Sequence, residues 1–274
     1  MVNTSGSTQC ARARLHTANR VLSALLLAWM ATIVQAQGVF TEAGPDGPTH
    51  TVHGPTSGKG PIVIVISGQS GPASYQSYAA ELAKLGYHTV LLDGKDILNP
   101  ELTGPAALKA VIERAQRASS AVSGKAAVIG FSMGGGGALY NAASMPEMVS
   151  MVVAYYPYTR TWADKVGVLA KRLQVPVLVM AAQRDRYQNC CLVETAQALA
   201  ASDKETGVKF ELVIYPDADH GFNLTSGPRG GPMPGYRRND DRDAWSRTIE
   251  MLRQHQPLAP WVHTPPRRAK DPSV

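Results

Sequence analysis

Residues 126–139 read AAVIGFSMGGGGAL: an apolar run stops at Gly130, crosses Phe131, Ser132 and Met133, and enters a stretch of glycine and alanine. The segment Gly130-Phe131-Ser132-Met133-Gly134 matches G-x-S-x-G, in which a serine sits on a sharp turn between a strand and a helix. Such a turn strains the serine backbone, and side chains two residues before and after it would collide with neighbouring chain. Glycine at both flanks is the steric consequence. Taken alone the match is weak, because a serine capping a glycine-rich helix start reads the same way. Its context gives it weight: an apolar strand comes before it and a small-residue helix, 134–143, comes after it, and that is where this turn belongs.

Outward from the turn, strands and helices alternate. Upstream, residues 61–67 (PIVIVIS) form a continuous β-branched run, the signature of a parallel strand buried on both faces. Tyr78, Leu82 and Leu85 then recur at helical spacing before Gly86, a C-cap position. His88–Leu92 (HTVLL) is the next strand, and Leu108, Val111, Ile112 and Ala115 line one face of the helix after it. Downstream, strands are expected at Val149–Tyr155, 175–181 and 208–215, and helices at 162–173, 191–201 and 241–254. A short alternating stretch at 50–53 reads as an edge strand. This pattern predicts an α/β fold, a mostly parallel sheet with helices on both faces. The connection 156–174 is nearly used up by one helix, so no cap domain is expected over the site.

A serine nucleophile needs a base to take its proton and an acid to orient that base. With the chain order Ser, acid, His, Asp185 in the loop AAQRDRYQ is the candidate acid and His220 in YPDADHGF the candidate base. Both follow strands at the carboxyl end of the sheet, where α/β folds place ligands. Asp217 and Asp219 are rival acids, but from the same loop as His220 they reach its ring awkwardly. The oxyanion donors are assigned to the backbone N–H of Met133 and of Gln69 in the loop SGQSG, with Ser70 as the alternative to Gln69. Tyr155, Tyr158, Trp162 and Phe222 are candidate pocket walls, with core packing as the alternative use of the same aromatics. No metal and no cofactor is called for.

Through PIVIVISG, GFSMGGGGAL, the Asp185 loop and YPDADHGFN followed by Tyr236 and AWSRTIEML, the chain resembles the dienelactone hydrolase-like branch of the α/β-hydrolase superfamily. The resemblance covers most of residues 37–256. It implies Ser132 as nucleophile, Asp185 as acid and His220 as base in ester hydrolysis through an acyl-enzyme. Lactone hydrolases of that family use a cysteine where this chain has Ser132, a glutamate where this loop reads SGQSG, and an arginine where this chain has Leu224. Those departures speak against a true dienelactone substrate and for short-chain or exposed esters. The alternatives are a serine peptidase of the prolyl oligopeptidase type and a non-catalytic domain of the same fold.

The two ends read differently from the middle. Arg12, Arg14 and Arg20, without an acid among them, precede the apolar run VLSALLLAWMATIV and Val34-Gln35-Ala36, the layout of a signal peptide spanning residues 1–36. This run of 14 residues, which includes Ser23 and Thr32, falls short of the roughly 20 that a bilayer span needs. A secreted or periplasmic protein is expected, with no stable membrane insertion after cleavage. These arginines carry half of the formal charge of +6. Residues 257–274, a Pro-rich basic tail, carry most of the rest, so the hydrolase-like region shows no nucleic-acid footprint. A small-molecule ester is the expected partner. Of the three cysteines only Cys190 and Cys191 follow the signal. Neighbouring Cα atoms lie about 3.8 Å apart, below the usual disulfide range of about 4.4 to 6.8 Å. The reading favours two buried thiols over a vicinal bridge or an intermolecular pair.

Overall fold

The computed structural model describes residues 38–44, 47–98, 104–202, 207–227 and 231–258. The expected signal segment, 1–36, and all but the first two residues of the expected tail, 257–274, lie outside the described residues.

Eight strands form one sheet: β1 (Val39–Gly44), β2 (Gly47–His53), β3 (Gly60–Ile66), β4 (His88–Leu92), β5 (Ala121–Phe131), β6 (Val149–Tyr155), β7 (Val177–Ala182) and β8 (Phe210–Tyr215). Their spatial order is β1-β2-β4-β3-β5-β6-β7-β8. From β4 to β8 neighbours run parallel, while β2 pairs antiparallel with β4 and with β1. The main helices are α1 (Gln76–Leu85), α2 (Gly104–Arg117), α3 (Met133–Tyr140), α4 (Val166–Ala170), α5 (Val193–Ser202) and α6 (Arg238–His255).

Strand side chains point alternately to the two faces, and both faces are buried. Ile62, Ile64 and Ile66 of β3 join Val128 of β5, Val152 of β6 and Val179 of β7 against α2 to α5. Their neighbours Val63, Val65, Ile129, Val153 and Leu178 pack against α1 and α6. This two-sided burial is why the strands read as unbroken apolar runs. Each fully buried aliphatic side chain contributes on the order of 1.5–3 kcal/mol. The register aligns the strand ends: Ile66 lies beside Gly130, Phe131 beside Tyr155, Tyr155 beside Met180 and Ala182 beside Tyr215. The loops carrying Gln69, Ser132, Asp185 and His220 therefore all leave the sheet at the carboxyl ends of its strands.

Three expectations are corrected. The strand at 50–53 is not an edge, because β1 pairs outside it; β1 lies in a glycine- and proline-rich stretch whose own strand signal is weak. The helix expected over 162–173 is reduced to a single tight turn at Arg160–Trp162 and the five residues of α4, separated by Lys165 with φ −145°. The apolar spacing there is real, since Trp162, Leu169, Ala170 and Leu173 are all buried, but it is met by successive turns. The glycine-rich helix stops at Tyr140 and is followed by a separate turn, Ala142–Ser144. Residues 156–176 contain no inserted cap. Among the described residues no helix is long and apolar enough to cross a membrane.

Candidate active site

Ser132 lies between the end of β5 and the start of α3, with φ 49° and ψ −113°. A non-glycine residue in this region is strained by of order 1–3 kcal/mol and persists only when its surroundings hold it. Here three backbone hydrogen bonds do so: Ser132 N–H donates to Tyr155 O (3.0 Å), and Ser132 O accepts from Gly136 N–H (3.0 Å) and Tyr158 N–H (2.8 Å). The flanking glycines are required by contact. A Cβ on Gly130 would meet the Gly134 carbonyl, and one on Gly134 would meet the carbonyls of Ile66 and Ser67.

The loop after β3 runs alongside. A Cβ on Gly68 would stand 3.3 Å from Ser132 Cβ, so the next residue, Gln69, is brought to the serine with its side chain exposed. Ser67 Oγ accepts from Gly94 N–H (3.1 Å) and Gly68 O accepts from Gly71 N–H (3.0 Å), which fixes the loop's course. Met133 is the first residue of α3, where an amide has no partner within the helix.

Asp185 follows β7 and is wholly buried. One carboxylate oxygen accepts from Tyr187 N–H (3.0 Å) and the other meets His220 Nδ1 at 2.7 Å. The acid loop and the histidine loop are tied together by Arg184 N–H to Ala218 O (3.0 Å). Asp217, one rival acid, forms exposed ion pairs with Arg184 and Arg237 instead. Asp219 is exposed. The His220 ring stacks on Tyr187 (centroids 4.6 Å, 16°) and takes the Tyr156 ring edge-on at 4.7 Å. Tyr156 has φ 34° and its buried hydroxyl donates to Asn223 Oδ1 (2.7 Å). Burial pushes that phenol well above its usual 10, so it stays neutral. Among the described residues no hydrogen bond joins Ser132 Oγ to His220, and in free enzymes such bonds commonly tighten only with substrate.

Two cavities flank this line. One of about 570 Å³ runs beside α3 and is lined by Met133, Tyr158, Trp162, Leu98, Lys165 and Val168. The other, about 840 Å³, reaches His220 past Arg184, Arg186, Tyr187 and Met233. Tyr158 and Trp162 are thus placed as walls, whereas Tyr155 and Phe222 are not: they are 1% and 0% exposed. Tyr155 faces α1 and α6, its hydroxyl bonded to Thr248 Oγ1 (2.8 Å) and its ring tilted on Phe131, while Phe222 turns inward onto Tyr215. Both belong to the aromatic floor beneath the site.

The cysteines are also corrected. Cys190 and Cys191 form a vicinal disulfide across a Cα–Cα distance of 3.8 Å. The distance rule that disfavoured it describes bridges between separate stretches of chain; here the positive φ of Gln188 and Asn189 turns the backbone just before the pair. Both sulfurs and one ring nitrogen of His220 lie within 4.8 Å of one another, among the described residues the one such group of metal-ligand type. Tyr156, Tyr187 and this bridge were missed as neighbours of the histidine. Only the closeness of Tyr187 to Asp185 in sequence hinted at any of them.

The model of the Dienelactone hydrolase family matches residues 95–256. A Salmonella typhi protein named as a carboxymethylenebutenolidase is 32% identical over 133 residues, 47% of this chain and 46% of that protein. The chain thus spans about half the length of the curated relatives it matches. A Klebsiella pneumoniae protein named as a dienelactone hydrolase shares the fold at a TM-score of 0.64 and 20% identity, over 79% of this chain and 99% of that one. The acylaminoacyl peptidase of Pyrococcus horikoshii does so at 0.59 and 14%, over 79% and 41%. At these identities the likeness is one of fold, that of the α/β hydrolases.

Proposed function

The chain belongs to the dienelactone hydrolase family, and we propose that it is a serine hydrolase that cleaves carboxylic esters, with Ser132, Asp185 and His220 as its triad. The observation that carries the reading is the 2.7 Å pair of His220 Nδ1 and buried Asp185, set at the same carboxyl end of the sheet as a serine held at φ 49°. In this reading Asp185 fixes the ring so that the other nitrogen receives the Ser132 proton. Ser132 Oγ attacks the ester carbonyl, and the charge that develops on oxygen is met by the amides of Met133 and Gln69. His220 passes the proton to the leaving alcohol, and water, activated by the same ring, releases the acid. The cavity beside Met133, Tyr158 and Trp162 supports short acyl groups or an ester exposed on a larger molecule. The signal-like segment 1–36 supports a secreted or periplasmic location, checked by the amino-terminus of the mature protein.

The test is labelling by a fluorophosphonate with the adduct located by mass spectrometry, beside a panel of ester, lactone and aminoacyl-peptide substrates. Covalent modification at Ser132 with ester turnover is the expected result. No labelling at Ser132 would return the chain to a non-catalytic role, and faster cleavage of aminoacyl peptides than of esters would make it a peptidase.

A further inference from the structure

The vicinal pair does not take part in the proposed hydrolysis, yet it lies against its base. We propose that Cys190, Cys191 and His220 form a redox-gated site for a soft divalent ion of the zinc class, shut as the disulfide and opened by reduction. The claim that the ion also switches hydrolysis off rests on the reading of His220 as the base.

Four considerations support it. Two thiolates and one imidazole are a donor set suited to zinc, whose ligand bonds of about 2.0–2.3 Å place donors roughly 3.5 Å apart around a tetrahedral ion, leaving the fourth position to water. The two sulfurs and one ring nitrogen of His220 already lie within 4.8 Å of one another, against the roughly 3.5 Å of a bound set. His220 Nδ1 is held by Asp185, leaving the other ring nitrogen for an external partner, and a carboxylate behind a ligating histidine is the usual support of such sites. Finally, the fold does not depend on the bridge. It closes no intervening chain, so it constrains the unfolded state little. Cys190 is also held independently: its N–H donates to Tyr187 O (3.0 Å) and its carbonyl accepts from Thr159 and Arg160 N–H (2.8 and 3.0 Å).

The chemistry balances with a dithiol reductant. One reductant thiolate attacks a cysteine sulfur and breaks the S–S bond; its second thiol resolves the mixed disulfide. The reductant leaves as its own disulfide, having supplied two electrons and two protons, and Cys190 and Cys191 become thiols. The ion then displaces both thiol protons to solvent and binds two thiolates and the imidazole, so the ring no longer has a lone pair with which to accept the serine proton.

The test uses the full chain with Cys10→Ser, which leaves two cysteines. After reduction by dithiothreitol and its anaerobic removal, two thiols per chain should react with a thiol reagent. Zinc alone is then titrated against a chromophoric chelator, with hydrolysis of an acetyl ester followed in parallel. Reduced protein should bind one zinc per chain at least a hundredfold more tightly than oxidised protein. Cys190→Ser/Cys191→Ser should bind like the oxidised form, and His220→Gln should lose at least tenfold in affinity. Ester hydrolysis should fall below a tenth at one equivalent and return with EDTA. Equal affinity of reduced, oxidised and double-serine protein, a bridge that dithiothreitol leaves intact, or an unchanged affinity in His220→Gln overturns the site. Tight binding with undiminished hydrolysis overturns the switch. Should the protein hydrolyse no ester, the chelator competition still decides the metal site, and only the inhibitory role falls with the proposed function.

Discussion

Around Ser132 the chain touches itself backbone to backbone, whereas around His220 it touches side chain to side chain. The serine turn is held by hydrogen bonds to Tyr155, Gly136 and Tyr158 and by glycines pressed onto carbonyls. The histidine is held by a carboxylate, two aromatic rings and a disulfide, contributed from residues 156, 185, 187 and 190–191. Contacts of the first kind tolerate almost no side chain and so leave a fixed pattern in a few consecutive residues. Those of the second kind are met by several chemistries and leave none.

The sharpest way to break the comparison is to remove one reacting group from each side. Ser132→Ala should lower kcat by several orders of magnitude with melting unchanged, because the nucleophile goes and little volume changes. Retention of more than about a tenth of the activity would remove Ser132 from its role. Asp185→Asn should cost on the order of 10³ to 10⁴ in kcat, since a neutral amide no longer fixes the tautomer or balances the imidazolium. Asp217→Asn breaks only exposed ion pairs and should change kcat less than about threefold. The reverse ranking of the two aspartates in a steady-state assay would reassign the acid.

A purely steric change tests the serine side next. Gly134→Val leaves every proposed catalytic group in place but drives a Cβ into the carbonyls of Ile66 and Ser67, backbone atoms that cannot swing away. Overpacking of this kind costs about 1–3 kcal/mol or more. The variant should melt several degrees lower and lose at least a hundredfold in kcat while still folding. Wild-type activity and melting together would mean that the turn is not held by close packing.

The same contrast explains what could be read from sequence. The core strands, the turn at Ser132 and the loops carrying Asp185 and His220 were legible because apolar runs, glycine spacing and chain order are local signals. The strand β1, the breakdown of the helix expected over 162–173 and the true surroundings of His220 were not, since each is decided by partners distant in sequence or by a turn without a marker. Tyr155 and Phe222 show the limit well. An aromatic at a strand end beside a catalytic loop looks the same in sequence whether it faces the site or the aromatic floor, and here the pleat of β6 sends Tyr155 to the floor. Tyr158 and Trp162, which do line a cavity beside Met133, give a prediction that depends on them: with no cap inserted at residues 156–176, acetyl and butyryl esters should be hydrolysed at least tenfold faster than palmitoyl esters, with no jump in rate as substrate forms droplets. A long-chain preference would mean that the cavity extends further than its described walls.

The smallest expected effect separates the ring contacts of His220 from its hydrogen bond. Tyr187 contributes two things to the histidine side: its backbone N–H, which binds Asp185 Oδ1 (3.0 Å), and its ring, stacked 4.6 Å from the imidazole. Tyr187→Ala removes the ring and keeps the amide, so Asp185 remains oriented while the imidazole loses one wall. Aromatic pairs are worth about 0.5–1.5 kcal/mol beyond their buried area, which corresponds to a fall in kcat of about two- to tenfold if the stacked geometry is the reactive one. Tyr187→Phe retains the stack and should retain the rate, since the hydroxyl accepts only a 3.3 Å contact from Gln188 on the exposed side. The discriminating measurement is kcat for the two variants on one acetyl ester. Equal loss in both would place the effect in the hydroxyl, and no loss in either would mean that the stack on Tyr187 does not position the base, leaving that role to Asp185 and the edge-on Tyr156 ring.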